Sequence, residues 1–81
     1  MLSQMERFYF DLHNTEHTQM DSEGQLFSSP ENARKEALRI LRDVARDEMP
    51  NGDNLKITIK MRNDKREQIF EASLTLQSTW S

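Results

Sequence analysis

Two histidines and two carboxylates stand within seven residues near the start of the chain: Asp11, His13, Glu16 and His17. Imidazole and carboxylate are ordinary transition-metal ligands, and His13 and His17 are four apart, the spacing that puts two side chains on one face of a helix. Here the spacing runs from the end of an alternating segment into the polar run Asn14–His17, so no shared face is imposed. Structural metal sites also ask for a closed shell of four ligands. A polar loop beside a strand end accounts for the same residues, and no metal site is assigned. Asp21 and Glu23 form a second pair of the kind that does acid–base work or holds a hard cation. The tetrad Asp21-Ser22-Glu23-Gly24 reads more simply as a turn, with Gly24 at a positive φ. A calcium loop needs further oxygen ligands and a later glutamate, which Gln25-Leu26-Phe27 does not supply. Ser28 and Ser29 sit where a helix begins, and there is no G-x-S-x-G. The chain has no cysteine, which excludes disulfides, thiolate ligands and thiol catalysis, and its two glycines build no phosphate-cradling loop. No catalytic residue and no cofactor is assigned, and an enzyme is the class with the least support.

The elements that position these groups are legible from periodicity. In Arg7–His13, Phe8, Phe10 and Leu12 alternate with Tyr9, Asp11 and His13, the pattern of a strand with one buried face. A short second strand is expected within Gln19–Phe27, around the turn at Gly24. The helix is the strongest signal. Ser29 caps it, Pro30 takes the first helical position and Glu31 meets the positive end of the dipole. Ala33, Ala37, Ile40, Leu41, Val44 and Ala45 then form one apolar stripe. Pro50-Asn51-Gly52-Asp53 after Met49 stops the helix. Leu55, Ile57, Ile59 and Met61 alternate with Lys56, Thr58 and Lys60, and Phe70, Ala72, Leu74 and Leu76 with Glu71, Ser73 and Thr75. These runs make an antiparallel hairpin joined by Asn63-Asp64-Lys65-Arg66. The expected fold is a single α+β domain over 1–81. It is a two-layer β-(β)-α-β-β arrangement, one amphipathic helix on a three- or four-stranded, mostly antiparallel sheet.

Composition bounds what such a fold can do. With 81 residues, 35% hydrophobic and 31% charged, the core must be thin. A chain of this length buries only about 60% of its unfolded surface, so a partner or a second copy is expected to add stability. No apolar run at Met1–Arg7 suits a signal peptide and no segment approaches a membrane span, so the expectation is a soluble, cytoplasmic protein with no membrane partner. The net charge of −3 argues against general nucleic-acid binding. Residues 1–29 hold Glu6, Asp11, Glu16, Asp21 and Glu23 against Arg7 alone, whereas bases slightly exceed acids from Pro50 onward.

The opening Arg7-Phe8-Tyr9-Phe10-Asp11-Leu12-His13 carries a family likeness. So do the turn Asp21-Ser22-Glu23-Gly24, the helix residues Ala33 and Glu36-Ala37, and above all the run Val44-Ala45-Arg46-Asp47-Glu48-Met49-Pro50-Asn51-Gly52. With the hairpin pattern from Ile57 through Arg62 to Leu74, they make the chain resemble the small proteobacterial, rhizobial-type proteins grouped as domain of unknown function 6894. The resemblance spans nearly the whole chain and implies the fold and no activity. The chain departs from it at Asn63–Arg66, where the usual turn glycine is missing. The strand–strand–helix opening also looks, more loosely, like the partial ribonuclease-H-like fold of HicB-type antitoxins, a likeness of fold alone.

Two surfaces follow from the alternation. The outward sheet face is expected to carry Tyr9, Lys56, Thr58, Lys60, Ile69, Ser73 and Thr75, and Trp80 lies beyond the alternation on a short tail. Ile69 and Trp80 are candidate protein-binding anchors, and pairing with a second copy would protect an open sheet edge. The expected function is a non-enzymatic protein-interaction module, an adaptor or regulator that self-associates. Two alternatives stand beside it. One is an antitoxin-like or phage-type inhibitor whose acids Glu16, Asp21 and Glu23 imitate phosphate. The other is single-stranded nucleic-acid binding through Tyr9, Lys56 and Lys60, although modules of that kind stack bases on two or three aromatics.

Overall fold

A computed structural model of the chain describes residues 4–15, 17–48 and 54–79. The helix stop at Pro50–Asp53, and with it Met49, lies outside the described residues, as do Glu16 and Trp80. The element order is β1 (Glu6–His13), β2 (Thr18–Gln19), β3 (Gln25–Phe27), α1 (Pro30–Glu48), β4 (Asn54–Arg62) and β5 (Gln68–Gln77). The fold is α+β, one helix on an antiparallel five-stranded sheet. The expected second strand is two short pieces placed end to end along one edge of β1, β3 opposite Glu6–Phe8 and β2 opposite Leu12–His13. β4 lies on the other side of β1 and β5 forms the far edge.

Period-2 alternation does the sorting. Phe8, Phe10, Ile57, Ile59 and Met61 face the helix and are buried. Burying each large side chain is worth roughly 1.5–3 kcal/mol. The helix answers with Ala33, Ala37, Leu41 and Ala45, all buried, and Ile40 and Val44 flank them. Three of those four are alanines, so the helix backbone sits close to the sheet. Phe27, entering the helix, packs edge-on against Phe10 at 5.8 Å between ring centres. The helix start is as expected: Ser29 Oγ accepts the Asn32 N–H at 3.2 Å.

The helix crosses the sheet on a diagonal. Its first turn (Pro30, Glu31, Arg34) lies beside Met61 and Phe70, and its last (Val44, Asp47, Glu48) beside Leu12 and Ile57. Coverage therefore shifts from the β5 side to the β1 side along its length. The corner left bare is the far half of β5, where Leu74 faces the helix layer yet stays 40% exposed.

The β4–β5 turn supplies a missing glycine by other means. Asn63 Oδ1 accepts the N–H groups of Lys65 and Glu67, both at 2.9 Å, and Arg66 takes the left-handed conformation at φ 68°. Arg66 thus occupies backbone space where glycine is the ordinary choice.

Candidate interaction surfaces

Two of the candidate carboxylates, Asp11 and Asp21, are held in hydrogen bonds of the fold itself. Asp11 lies on the outward side of β1 and would be expected in water, yet it is only 3% exposed. Arg62, opposite Tyr9 at the end of β4, closes over it: Nε donates to Asp11 Oδ2 at 2.6 Å and Nη2 to Oδ1 at 3.1 Å. The Asp21 N–H completes the site at 2.9 Å. Arg62 Nη2 also donates to the Asp21 carbonyl at 2.9 Å, and its guanidinium lies 4.9 Å from the centre of the Tyr9 ring. Burial pushes the Asp11 carboxyl up. The Arg62 hydrogen bond, the Asp21 N–H and the charges of Arg62 and His13 outweigh it and hold the group below its ordinary value. The hydrogen bond to Asp11 in turn raises Arg62.

Asp21 is a second structural carboxylate. Where β2 and β3 leave a gap along β1, Asp21 Oδ2 accepts the Phe10 N–H at 3.1 Å, as a neighbouring strand would. Its Oδ1 accepts the N–H groups of Glu23 and Gly24 at 3.2 and 3.0 Å. Gly24 has φ 69°, as the turn required, and a Cβ there would meet the Phe8 carbonyl oxygen at 2.7 Å. Arg7 Nη1 donates to the Glu23 carbonyl at 2.8 Å and ties the loop down from the outward face. A buried Asp–Arg pair 51 residues apart leaves no spacing signal. Asp11, Asp21, Gly24 and Arg62 all fall within the segments that carry the family likeness, the one trace of the pair in the sequence.

Of the histidines and carboxylates grouped near the start of the chain, His13 Nδ1 lies 3.2 Å from Thr18 Oγ1 and Asp11 pairs with Arg62. Among the described residues, no three carboxylates or imidazoles gather as a metal site would require. An open hollow of about 280 Å³ does lie between the end of β1 and the end of α1, with His13, His17, Asp47 and Glu48 on its rim.

The outward face holds Tyr9, Lys56 and Lys60 as expected, but not as a free cationic stripe. Lys60 sits between Asp11 on β1 and Glu71 on β5, and Lys56 lies opposite Thr75. Between those rows Thr58 Oγ1 and Ser73 Oγ are 2.8 Å apart. Ile69 is elsewhere, which corrects the expected alternation. The register shifts at Met61/Arg62, so Arg62 pairs with Gln68 and Met61 with Phe70, leaving Ile69 as the extra residue of a bulge. Ile69 lines an open hollow of about 380 Å³ with Pro30, Glu31, Arg34, Met61 and Phe70, on the helix side.

Among the described residues, no strand lies beyond β5. The Phe10 N–H points away from β4, so Asp11–Lys60 is the mutually bonded pair, and alternation continues across the ladder. Ile59 then bonds Ala72, and Glu71, Ser73, Thr75 and Gln77 turn their N–H and C=O groups to the open edge. This ten-residue strand holds no lysine, arginine or proline, and Glu71 is its one charge.

The fold is that of a small helix-on-sheet α+β protein, with Asp11 and Arg62 paired on its outward sheet face. Residues 7–75 match the family model described as Domain of unknown function (DUF6894), and the chain belongs to that family. No curated protein and no solved structure matches it. No helix among the described residues is long and apolar enough to cross a membrane.

Proposed function

We propose that the chain is a small non-enzymatic protein-interaction module, an adaptor or regulator, and that β5 is its docking edge. One observation carries this reading. A long edge strand presents the backbone groups of Glu71, Ser73, Thr75 and Gln77 without the lysines or prolines that normally blunt such edges, and no described strand covers it. An extended segment added there gains main-chain hydrogen bonds, and Leu74 and Leu76 offer apolar contact on one face. The alternatives draw less from the same observations. The Asp21 carboxylate is committed to three backbone N–H groups, which leaves it poorly placed to imitate a phosphate. The Tyr9 ring lies under Arg62, which takes one face from a stacking base.

The test is affinity capture of the tagged chain from its native cell lysate after nuclease treatment, run beside Leu74→Lys. A partner, or an untagged copy of the chain, held by the wild type and lost by Leu74→Lys is the expected result. Recovery that collapses with nuclease, or that Leu74→Lys leaves untouched, overturns the proposal.

A further inference from the structure

The β5 edge and the two apolar features beside it are complementary to themselves. Exposed Leu74 and half-buried Leu76 lie towards one end of β5, and the hollow at the start of α1, lined by Met61 and Phe70, lies at the other. A two-fold axis through the strand carries each end onto the opposite end of a second copy. From this we infer that the occupant of the β5 edge is a second copy of the chain. The two strands pair antiparallel about an axis at Ser73. This deepens the docking-edge reading and rests on it.

Register follows from side-chain parity. The midpoint of Gln68–Gln77 falls between Ala72 and Ser73. An axis there would set even residues against odd ones and lay an apolar face on a polar one. An axis at Ala72 would put Leu76 against Gln68. An axis at Ser73 sets Leu76 against Phe70 and Leu74 against Ala72 of the second copy, so every row on the helix side is apolar. Leu76 then arrives at the hollow beside Phe70, twice per dimer.

The outward rows agree. Ser73 meets Ser73 of the second copy, extending the Thr58–Ser73 hydroxyl contact into a row of four. Glu71 meets Thr75 of the second copy, whose neighbour on its own β4 is Lys56. The row therefore reads Lys60, Glu71, Thr75, Lys56, with the carboxylate between two ammonium groups and no like charges opposed. Backbone polarity fits as well, because Ser73 is among the residues whose N–H and C=O face the open edge. The product is a continuous antiparallel sheet with both helices on one side, flanking a trough floored by the two β5 strands.

Single cysteines test both the pairing and its register in a chain that has no cysteine of its own. Directly opposed, hydrogen-bonded residues lie about 5.5 Å apart at Cα, inside the range a disulfide spans. Under mild oxidation Ser73→Cys should form a covalent dimer to completion. Thr75→Cys should not, because its two copies are four residue steps apart along the strands, about 14 Å. By light scattering after gel filtration the wild type should weigh twice one chain, and Ser73→Pro should weigh one. That proline removes an edge donor while sparing the β4–β5 ladder, and circular dichroism checks that it folds; if it does not, the cysteine pair decides. A dimer that resists Ser73→Pro, or in which Thr75→Cys links as well as Ser73→Cys, overturns the inference. So does a wild type that stays single with neither cysteine linking. In that last case amide shifts of Glu71, Ser73, Thr75 and Gln77 with extended apolar peptides decide the parent reading: shifts keep the docking edge with another occupant, and their absence removes both.

Discussion

Along β1 the sheet edge is closed from within. Two short strands cover its ends, and in the gap between them the Asp21 carboxylate takes the place of a strand while Gly24 lets the loop press against Phe8. Along β5 ten residues run with no strand beyond them among the described residues, one charge and an exposed Leu74. Both edges face the problem of unpaired backbone groups. One is solved with residues chosen for a single geometry, so it tolerates little change, and the other is the edge proposed to take an added strand. Structural closure and the proposed docking edge therefore belong to opposite sides of the same small sheet.

Substitutions on the closed side should break that contrast most forcefully. Arg62→Ala leaves Asp11 buried without its counter-charge and should cost about 3–5 kcal/mol of unfolding free energy by denaturant titration. A loss below about 1 kcal/mol would mean that water reaches Asp11 and that the closed side is looser than the contacts imply. Gly24→Ala should cost about 2 kcal/mol, from the positive φ and the approach to the Phe8 carbonyl. The same pair sharpens the comparison through pH. Asp11 titrates lower in the folded chain than in the unfolded one, so its contribution is complete above the ordinary carboxylate range and is lost as pH falls through it. Unfolding free energy should decline from about pH 4 downward, and Asp11→Asn should flatten that decline relative to the wild type. The smallest effect belongs to the open side. Arg66→Gly, at the turn leading into β5, should stabilise the chain by about 1 kcal/mol by relieving the left-handed residue. No change in thermal midpoint would show that the Asn63 hydrogen bonds already offset that strain.

The helix and the three long strands were readable because each rests on repetition. Six apolar helix positions and three alternating runs all point to one buried layer, and Ser29-Pro30-Glu31 marks the helix start without any long-range knowledge. The split second strand was not readable. Thr18–Gln19 and Gln25–Phe27 are too short to show a period, and what holds them in place is the rest of β1. Asp11 escaped for a related reason: its alternation was read correctly, but its burial depends on Arg62 and on the loop at Asp21, which arrive from opposite ends of the chain. Ile69 was misplaced by a single extra residue, since a bulge shifts alternation by one and leaves no local composition behind. The candidate surface was half legible. Phe70–Leu76 is legible as a strand, whereas its position at the margin of the sheet follows only from the pairing order.

The carboxylate that stands in for a strand also changes how that part of β1 moves. The other edge amides of β1 are released when β2 or β3 peels away, a cooperative event involving several bonds. The Phe10 amide, in the middle of the strand, is released whenever the side chain of Asp21 lets go. In hydrogen–deuterium exchange it should therefore trade its proton faster than the amides of Phe8 and Leu12 on either side, at a rate set by opening of the 20–24 loop rather than by fraying of the sheet. One amide near the core thus becomes a clock for a surface loop.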